Sequence, residues 1–222
     1  MNVFLVLAHP EPRSFNGAMF DTALETLSAA GHAVVTSDLY RMGFDPVSSR
    51  RNFTSVRDAD YLKLQSEEVH ATEVGGFARE IEEEIVKVET ADLMIWQFPL
   101  WWFGLPAILK GWVDRVFAMG RTYGGGHVYE TGRFSGKRAL LSLTTGGPDA
   151  AYRPEGFNGD LGAILRPVQR GILNFTGFAV LAPQVVYGPS RADDTQRAAW
   201  LAAWDRRLAS IERERPIDVG RY

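Results

Sequence analysis

The chain has no cysteine. Disulfides, thiol catalysis and cysteine-ligated metal sites are therefore excluded, and the redox compartment is left open. It also has no excess of positive charge. Its 24 Lys and Arg stand against 27 Asp and Glu, a net charge of −3, so no long-range field draws it to nucleic acid or an anionic membrane. No apolar run approaches the roughly 18 residues of a membrane span. The first residues lack the basic start and small-residue cleavage site of a signal peptide. The expectation is a cytoplasmic protein with no membrane insertion and no nucleic-acid partner. Two phosphate-binding signatures are missing as well, GxGxxG and GxxxxGK followed by Ser or Thr. No metal site is expected.

What is present is ordinary in bulk and specific in its punctuation. Hydrophobic residues make up 45% and charged residues 23% of 222, as in soluble globular proteins long enough to bury a full core. Residues 2–8 are nearly all apolar, which fits a central parallel strand buried on both faces. A helical pattern covers about 17–30, with Gly31 as a stop, and 32–39 reads as a second strand. Residues 40–76 are polar and weakly periodic. They read as a long excursion with a short helix near 58–69, and such excursions are usually functional or interfacial. An acidic amphipathic helix follows over 77–90, with Phe77, Ile81, Ile85 and Val88 inward. Then come a strand over 92–98, a helix over 105–119, a strand over 138–144, a helix over 161–175, a strand over 178–187 and a closing helix over 193–213. Sequential β-α-β units predict right-handed crossovers and an α/β fold with a doubly wound, five-stranded parallel sheet. With no linker or repeat, residues 1–222 read as one domain.

In such sheets the ligand crevice lies at the carboxyl ends of the strands, and three loops should meet there. The first, residues 9–16, leads into a helix N-terminus, where free N–H groups and the helix dipole suit a phosphate. Ser14, Asn16 and His9 can add hydrogen bonds. Equally, Ser14 or Asn16 can simply cap the helix. The second loop carries Trp101, Trp102 and Phe103 after the strand. Neighbouring side chains diverge, so these rings cannot all point into the core, and at least one should line a surface or pocket. The third, Thr144-Thr145-Gly146-Gly147, has two glycines that let backbone approach a ligand, or that merely make a tight turn. Tyr152 can project a phenol into the same crevice, or sit on the surface. A phosphate-holding helix start beside two loops suited to a flat heterocycle suggests a flavin nucleotide.

These residues also carry a family resemblance. The pieces are Ala8-His9-Pro10 with Ser14-Phe15-Asn16, the unbroken stretch from Gln97 to Trp112, Thr144 to Gly147 with Tyr152, and Gly159-Asp160 through Gly171 to Phe178. Together they resemble the flavodoxin-like NAD(P)H:quinone oxidoreductases, or DT-diaphorases, in order over nearly the whole chain. The resemblance implies a sheet of order 2-1-3-4-5 with helices on both faces. It implies FAD, with FMN as the alternative, NAD(P)H as co-substrate, and a homodimer in which each site is bordered by the other chain, the excursion 40–76 being a candidate for that border.

Residue by residue, the resemblance implies that His9, Ser14, Phe15 and Asn16 hold the phosphate and ribityl end, with Ala18 near the nucleotide. Backbone at Pro99, Leu100, Trp101, Trp102 and Phe103 would face the isoalloxazine, and Thr144, Thr145, Gly146 and Gly147 would flank its pyrimidine edge. Trp102, Phe103 and Tyr123 would wall a pocket shared by nicotinamide and quinone, which implies ping-pong hydride transfer. Tyr152 would stabilise the charge developing near flavin N1 and O2. Where mammalian members carry a histidine six residues after that tyrosine, this chain has Asn158. Asparagine donates a hydrogen bond but gains no proton, so a tyrosine–histidine proton relay is not expected, and Tyr152 with Asn158 form the candidate catalytic pair. Trp101 stands where mammalian members carry glutamine, which alters the pocket wall. Other readings within the superfamily are an azo- or nitro-compound reductase, a flavin-binding regulatory subunit of a potassium-efflux system, and a one-electron carrier. The last is disfavoured, because a carrier needs an exposed flavin edge and bulky aromatics wall this one.

Overall fold

The apolar run at the N-terminus forms β1 (Asn2–Leu7), flanked in parallel by β2 (Ala33–Asp38) and β3 (Leu93–Pro99). In this computed structural model, which describes residues 1–221, β3 pairs with β4 (Arg138–Thr145) and β4 with β5 (Ala179–Val180). The strand order is β2-β1-β3-β4-β5, all parallel, the doubly wound sheet expected.

One strand differs. The run 178–187 is broken into β5 and β6 (Gln184–Tyr187), which pair with successive stretches of β4 at Arg138–Ala139 and Ser142–Thr145. Pro183 lies in the break, and a proline has no N–H to give to a ladder.

Side chains alternate between the faces of the sheet with the strand period of two. Phe4, Val6, Trp96, Phe98, Leu141 and Leu143 enter one core with α3 (Arg79–Thr90), α4 (Ala107–Val116) and α5 (Leu161–Val168). Val3, Leu5, Leu7, Ile95 and Leu140 enter the other with α1 (Phe15–Ala29) and α6 (Asp194–Leu208). Each fully buried Leu or Phe in these layers stabilises the fold by about 1.5–3 kcal/mol. Trp204 Nε1 donates to Met19 O at 3.0 Å and ties α6 to α1.

Several helix boundaries move from their expected places. α1 begins at Phe15 because Ser14 caps it. The helix of the excursion is α2 (Leu64–Val74), not 58–69, and it stops at Gly75 with φ 67°. Asp58 Oδ1 accepts the N–H groups of Asp60 and Tyr61, and such an Asx turn holds the backbone out of a helix. α4 is shorter than 105–119, because Pro106 is its N-cap residue and Val116 its last. Beyond Val168 the expected helix runs on as a π-helix over Gln169–Asn174. The closing helix ends at Leu208, with a separate 3-10 turn over Ile211–Arg213.

The excursion is pinned from α4. Arg115, 1% exposed, donates to Asn52 Oδ1, Asp45 O and Glu80 Oε1 at 2.7–2.9 Å. A Cβ on Gly111 would stand 2.2 Å from Pro46 O, so only glycine lets the excursion lie against α4. Among the described residues, no helix is long and apolar enough to cross a membrane.

Candidate functional site

The first loop leaves β1 with Ala8 N–H donating to Gln97 O, and turns into α1 at Ser14. Ser14 Oγ accepts Gly17 N–H at 3.1 Å. The N–H groups of Phe15 and Asn16 have no acceptor among the described residues, and with the helix dipole they form a cradle for an anion. His9 Nδ1 lies 3.0 Å from Glu11 N and 3.1 Å from Glu11 O, which fixes the ring against the loop backbone. The two capping candidates thus divide. Ser14 caps, while Asn16 is buried and works as a cross-brace: its Nδ2 donates to Thr144 Oγ1 at 2.9 Å and its Oδ1 accepts from Gln97 Nε2 at 2.8 Å. Three polar residues on two strand ends and a helix start hold the first and third loops together.

The aromatic loop is a tight reversal. Trp101 and Gly104 exchange backbone hydrogen bonds, and Trp102 and Phe103 both have positive φ, 50° and 58°. Two successive left-handed residues make a type I′ turn, normally built from Asn and Gly. A bulky side chain in that region costs about 1–2 kcal/mol, and strain of this kind clusters at binding sites. None of the three rings is buried. Trp102 is 97% exposed, Phe103 and Trp101 about half, and the Trp101 ring lies 6.1 Å from that of His9.

The third loop follows β4. Thr145 Oγ1 donates to Gly147 O at 2.8 Å. A Cβ on Gly146 would meet nothing within 4 Å, so that stretch of backbone faces open space. A Cβ on Gly147 would lie 3.2 Å from the Tyr152 ring and 3.6 Å from Asn158 Nδ2. Gly147, Tyr152 and Asn158 thus form one cluster, with the Tyr152 ring also 5.9 Å from that of Tyr187.

Between these loops lies a crevice of about 810 Å³. His9, Ser14, Phe15, Asn16 and Ala18 line one side, and Pro99, Leu100, Trp101, Thr144, Thr145 and Gly146 the other. The remaining sequence candidates lie outside this lining: Trp102 and Phe103 on the exposed turn, and Gly147, Tyr152 and Asn158 in the adjoining cluster. Tyr123 lines a separate cavity of about 210 Å³. The crevice also has a wall that no sequence motif announces, made by Pro189, Ser190, Arg197 and Leu201, with Arg197 Nε donating to Pro189 O and Nη1 to Asp194 Oδ1. These residues follow β6 and reach the crevice only because α6 packs on α1. No local motif marks them.

Comparison with known proteins bears on this geometry. The family model described as flavodoxin-like fold matches residues 1–208. The chain is 46% identical over 216 residues to the ribosyldihydronicotinamide dehydrogenase (quinone) of Rattus norvegicus, covering 97% of this chain and 94% of that protein. The chain belongs to the flavodoxin-like quinone reductase family. It is also 44% identical over 214 residues to NAD(P)H dehydrogenase (quinone) 1 of Cavia porcellus, covering 96% of this chain and 78% of that one. A solved structure from Klebsiella pneumoniae overlays with a TM-score of 0.94 at 40% identity, covering 98% of this chain and 87% of that one. In this family member the three-loop crevice lies at the carboxyl ends of β1, β3 and β4.

Proposed function

We propose that the chain is a flavin-dependent NAD(P)H:quinone oxidoreductase working as a homodimer. The observation that carries this reading is the crevice itself. It joins two free N–H groups at a helix start to glycine backbone with open space before it, and that donor set suits a phosphate at one end and a flat polar heterocycle at the other. A bound flavin would accept a hydride from the nicotinamide and deliver two electrons to a quinone.

The chain's own groups bind and orient. His9, Ser14 and the N–H groups of Phe15 and Asn16 hold phosphate, with Ala18 beside them. The backbone from Pro99 to Phe103 and from Thr144 to Gly147 borders the ring system. Tyr152 is an O–H donor for the negative charge that develops at the pyrimidine edge, and Asn158 is a fixed amide donor next to it. FAD is favoured over FMN because the crevice continues past the helix start to Ser190 and Arg197, where a cation can meet a second phosphate. The homodimer reading is supported by Trp102 and Phe157, each more than 95% exposed, since rings of that size are costly to leave in water.

The first test is the absorption spectrum of the purified protein, followed by release and chromatography of the chromophore. A yellow protein yielding FAD is expected; a colourless protein that neither flavin reconstitutes overturns the reading. Because the relatives' names differ in hydride donor, NADH, NADPH and dihydronicotinamide riboside are compared as reductants. Tyr152→Phe is expected to slow flavin reduction while flavin content holds, and unchanged reduction would remove Tyr152 from the mechanism. A monomeric mass in solution would remove the homodimer.

A further inference from the structure

The cluster behind the third loop contains a tyrosine that the proposed chemistry does not use. Tyr187 is the last residue of β6 and pairs with Thr145 at the end of β4. Gly188 N–H donates to Thr145 O at 2.8 Å and fixes the chain just beyond it. The Tyr187 ring is half-buried against the core. It lies 5.9 Å from the Tyr152 ring, at an interplanar angle of 41°. Burial, and after it the Asp149 carboxylate, push the Tyr187 phenol up, so the ring stays uncharged beside Tyr152.

Tyr152 has a packed ring and an unanchored hydroxyl. The residue is 8% exposed. Its Oη makes no hydrogen bond to a described residue, and it is not one of the buried unpaired atoms, so solvent reaches it. Its backbone, by contrast, is well held. Tyr152 ends the turn Asp149–Tyr152, and Asp149 Oδ2 accepts Arg153 Nε at 3.1 Å as a clasp across that turn. Asn158 N–H donates to Ala151 O at 2.7 Å. A Cβ on Gly156 would stand 2.4 Å from Ala150 O, so the following loop lies hard against the turn. With no hydrogen bond at the hydroxyl, the phenol's direction is set by what its ring rests on. That is the Gly147 backbone, where a Cβ would come 3.2 Å from the ring, and the Tyr187 ring. A donor that stabilises developing charge works only while it is held in line.

We propose that Tyr187 is a positioning residue for Tyr152: its ring, fixed by the β6–β4 pairing, aims a hydroxyl that no hydrogen bond anchors. This rests on the reading in which Tyr152 donates to the pyrimidine edge of a flavin. The contact is ring to ring, so the Tyr187 hydroxyl is not required. Tyr187 stands outside the crevice lining and acts only through Tyr152. Removal of the Tyr187 ring should therefore mimic removal of the Tyr152 hydroxyl. For the same reason the two changes together should do no more than one, the signature of residues that act as a unit.

The test is the midpoint potential of the flavin-loaded protein, read by equilibrium titration against a redox dye. A donor at the pyrimidine edge favours the reduced form. Tyr152→Phe is thus expected to shift the two-electron equilibrium about tenfold toward the oxidised form, roughly 30 mV. Tyr187→Ala is expected to shift it at least fivefold the same way, and Tyr187→Phe, which keeps the ring, less than twofold. Tyr152→Phe combined with Tyr187→Ala should match Tyr152→Phe alone. An unchanged potential in Tyr187→Ala overturns the proposal. So does a double variant in which the two shifts add, because general damage to the loop would persist without the Tyr152 hydroxyl. Flavin content and melting temperature report folding, and if Tyr187→Ala does not fold, Tyr187→Leu is read by the same criteria. An unchanged potential in Tyr152→Phe overturns the Tyr152 reading and this proposal with it. Failure of this proposal alone shows in Tyr187→Ala while Tyr152→Phe keeps its effect.

Discussion

The crevice and the excursion 40–76 both hold irregular chain in place, and they do so with different materials. The crevice is made largely of main chain: free N–H groups at Phe15 and Asn16, the strained turn at Trp102 and Phe103, and open backbone at Gly146. The excursion is held by charged side chains. Arg115 reaches into it from α4, and Glu67 accepts the N–H groups of Arg57 and Asp58 at 2.8 and 3.0 Å. The crevice keeps donors unspent, as a binding site must. The excursion spends Arg50, Arg51, Asp45, Asp58 and Glu67 on its own chain, as a frame must. The neighbours Glu67 and Glu68 show the boundary. Backbone donors satisfy the first and hold its pKa down, while burial pushes up the second.

The strongest way to break this contrast is Arg115→Met. It leaves Asp45 O without its donor and Asn52 Oδ1 with only the Ser49 N–H at 3.4 Å, and about 3 kcal/mol of stability should go, measured by urea unfolding. Protease cleavage within 53–63 should rise while flavin bound per folded molecule holds. Loss of flavin in step with stability would mean that the frame also supports the crevice. Next comes Asn16→Ala, which removes the partner of Thr144 Oγ1 and leaves Gln97 Nε2 with only the weak acceptor Met19 Sδ at 3.8 Å. It should cost about 2 kcal/mol and, unlike Arg115→Met, lower flavin retention; retained flavin would remove the cross-brace from the binding site.

Trp102→Gly should act in the opposite direction. Relief of the positive φ is expected to stabilise the protein by about 1 kcal/mol in thermal unfolding, with a raised KM for quinone as the wall is lost. A destabilised variant would show that the ring packs on something, a second copy foremost. The smallest effect is a paired pH series. Glu67 has a depressed folded pKa, so its contribution is present above the unfolded value near 4.5 and fades as pH falls through the folded one. The stability gap between parent and Glu67→Gln should therefore close on acidification. Glu68 has a raised folded pKa, so the parent loses ground to Glu68→Gln as pH climbs through it. Gaps that move together would erase the distinction between the two glutamates.

Legibility followed distance along the chain. The strands, the helices and the three loops rest on local signals: apolar period, helix stops, a Ser before a helix, a Gly-Gly after a strand; the sheet order with helices on both faces came from the family resemblance. The aromatic loop was readable because adjacent side chains must diverge. Asn16 was not, since its partners are 81 and 128 residues away, and its type suits a cap as well as a brace. The break between β5 and β6 was signalled by Pro183, and the late start of α2 by Asp58, but each signal is a single residue inside a longer favourable pattern. Arg197 and Arg115 carried no signal, because an arginine on a helix reads as solvated surface until the packing of another element decides otherwise.

By itself, then, the amino-acid sequence determined what nearest neighbours can enforce: which segments are strands and helices, which faces they bury, which loops follow the strand ends, and the family. Tertiary structure alone decided which of those residues share a crevice, that Asn16 ties two loops rather than capping one, that Arg197 lines the crevice, and that burial pushes Glu68 up while backbone donors hold its neighbour Glu67 down. The reason is physical. Local geometry follows from backbone sterics and side-chain period, whereas burial, proton affinity and unsatisfied valence depend on which distant chain arrives to exclude water.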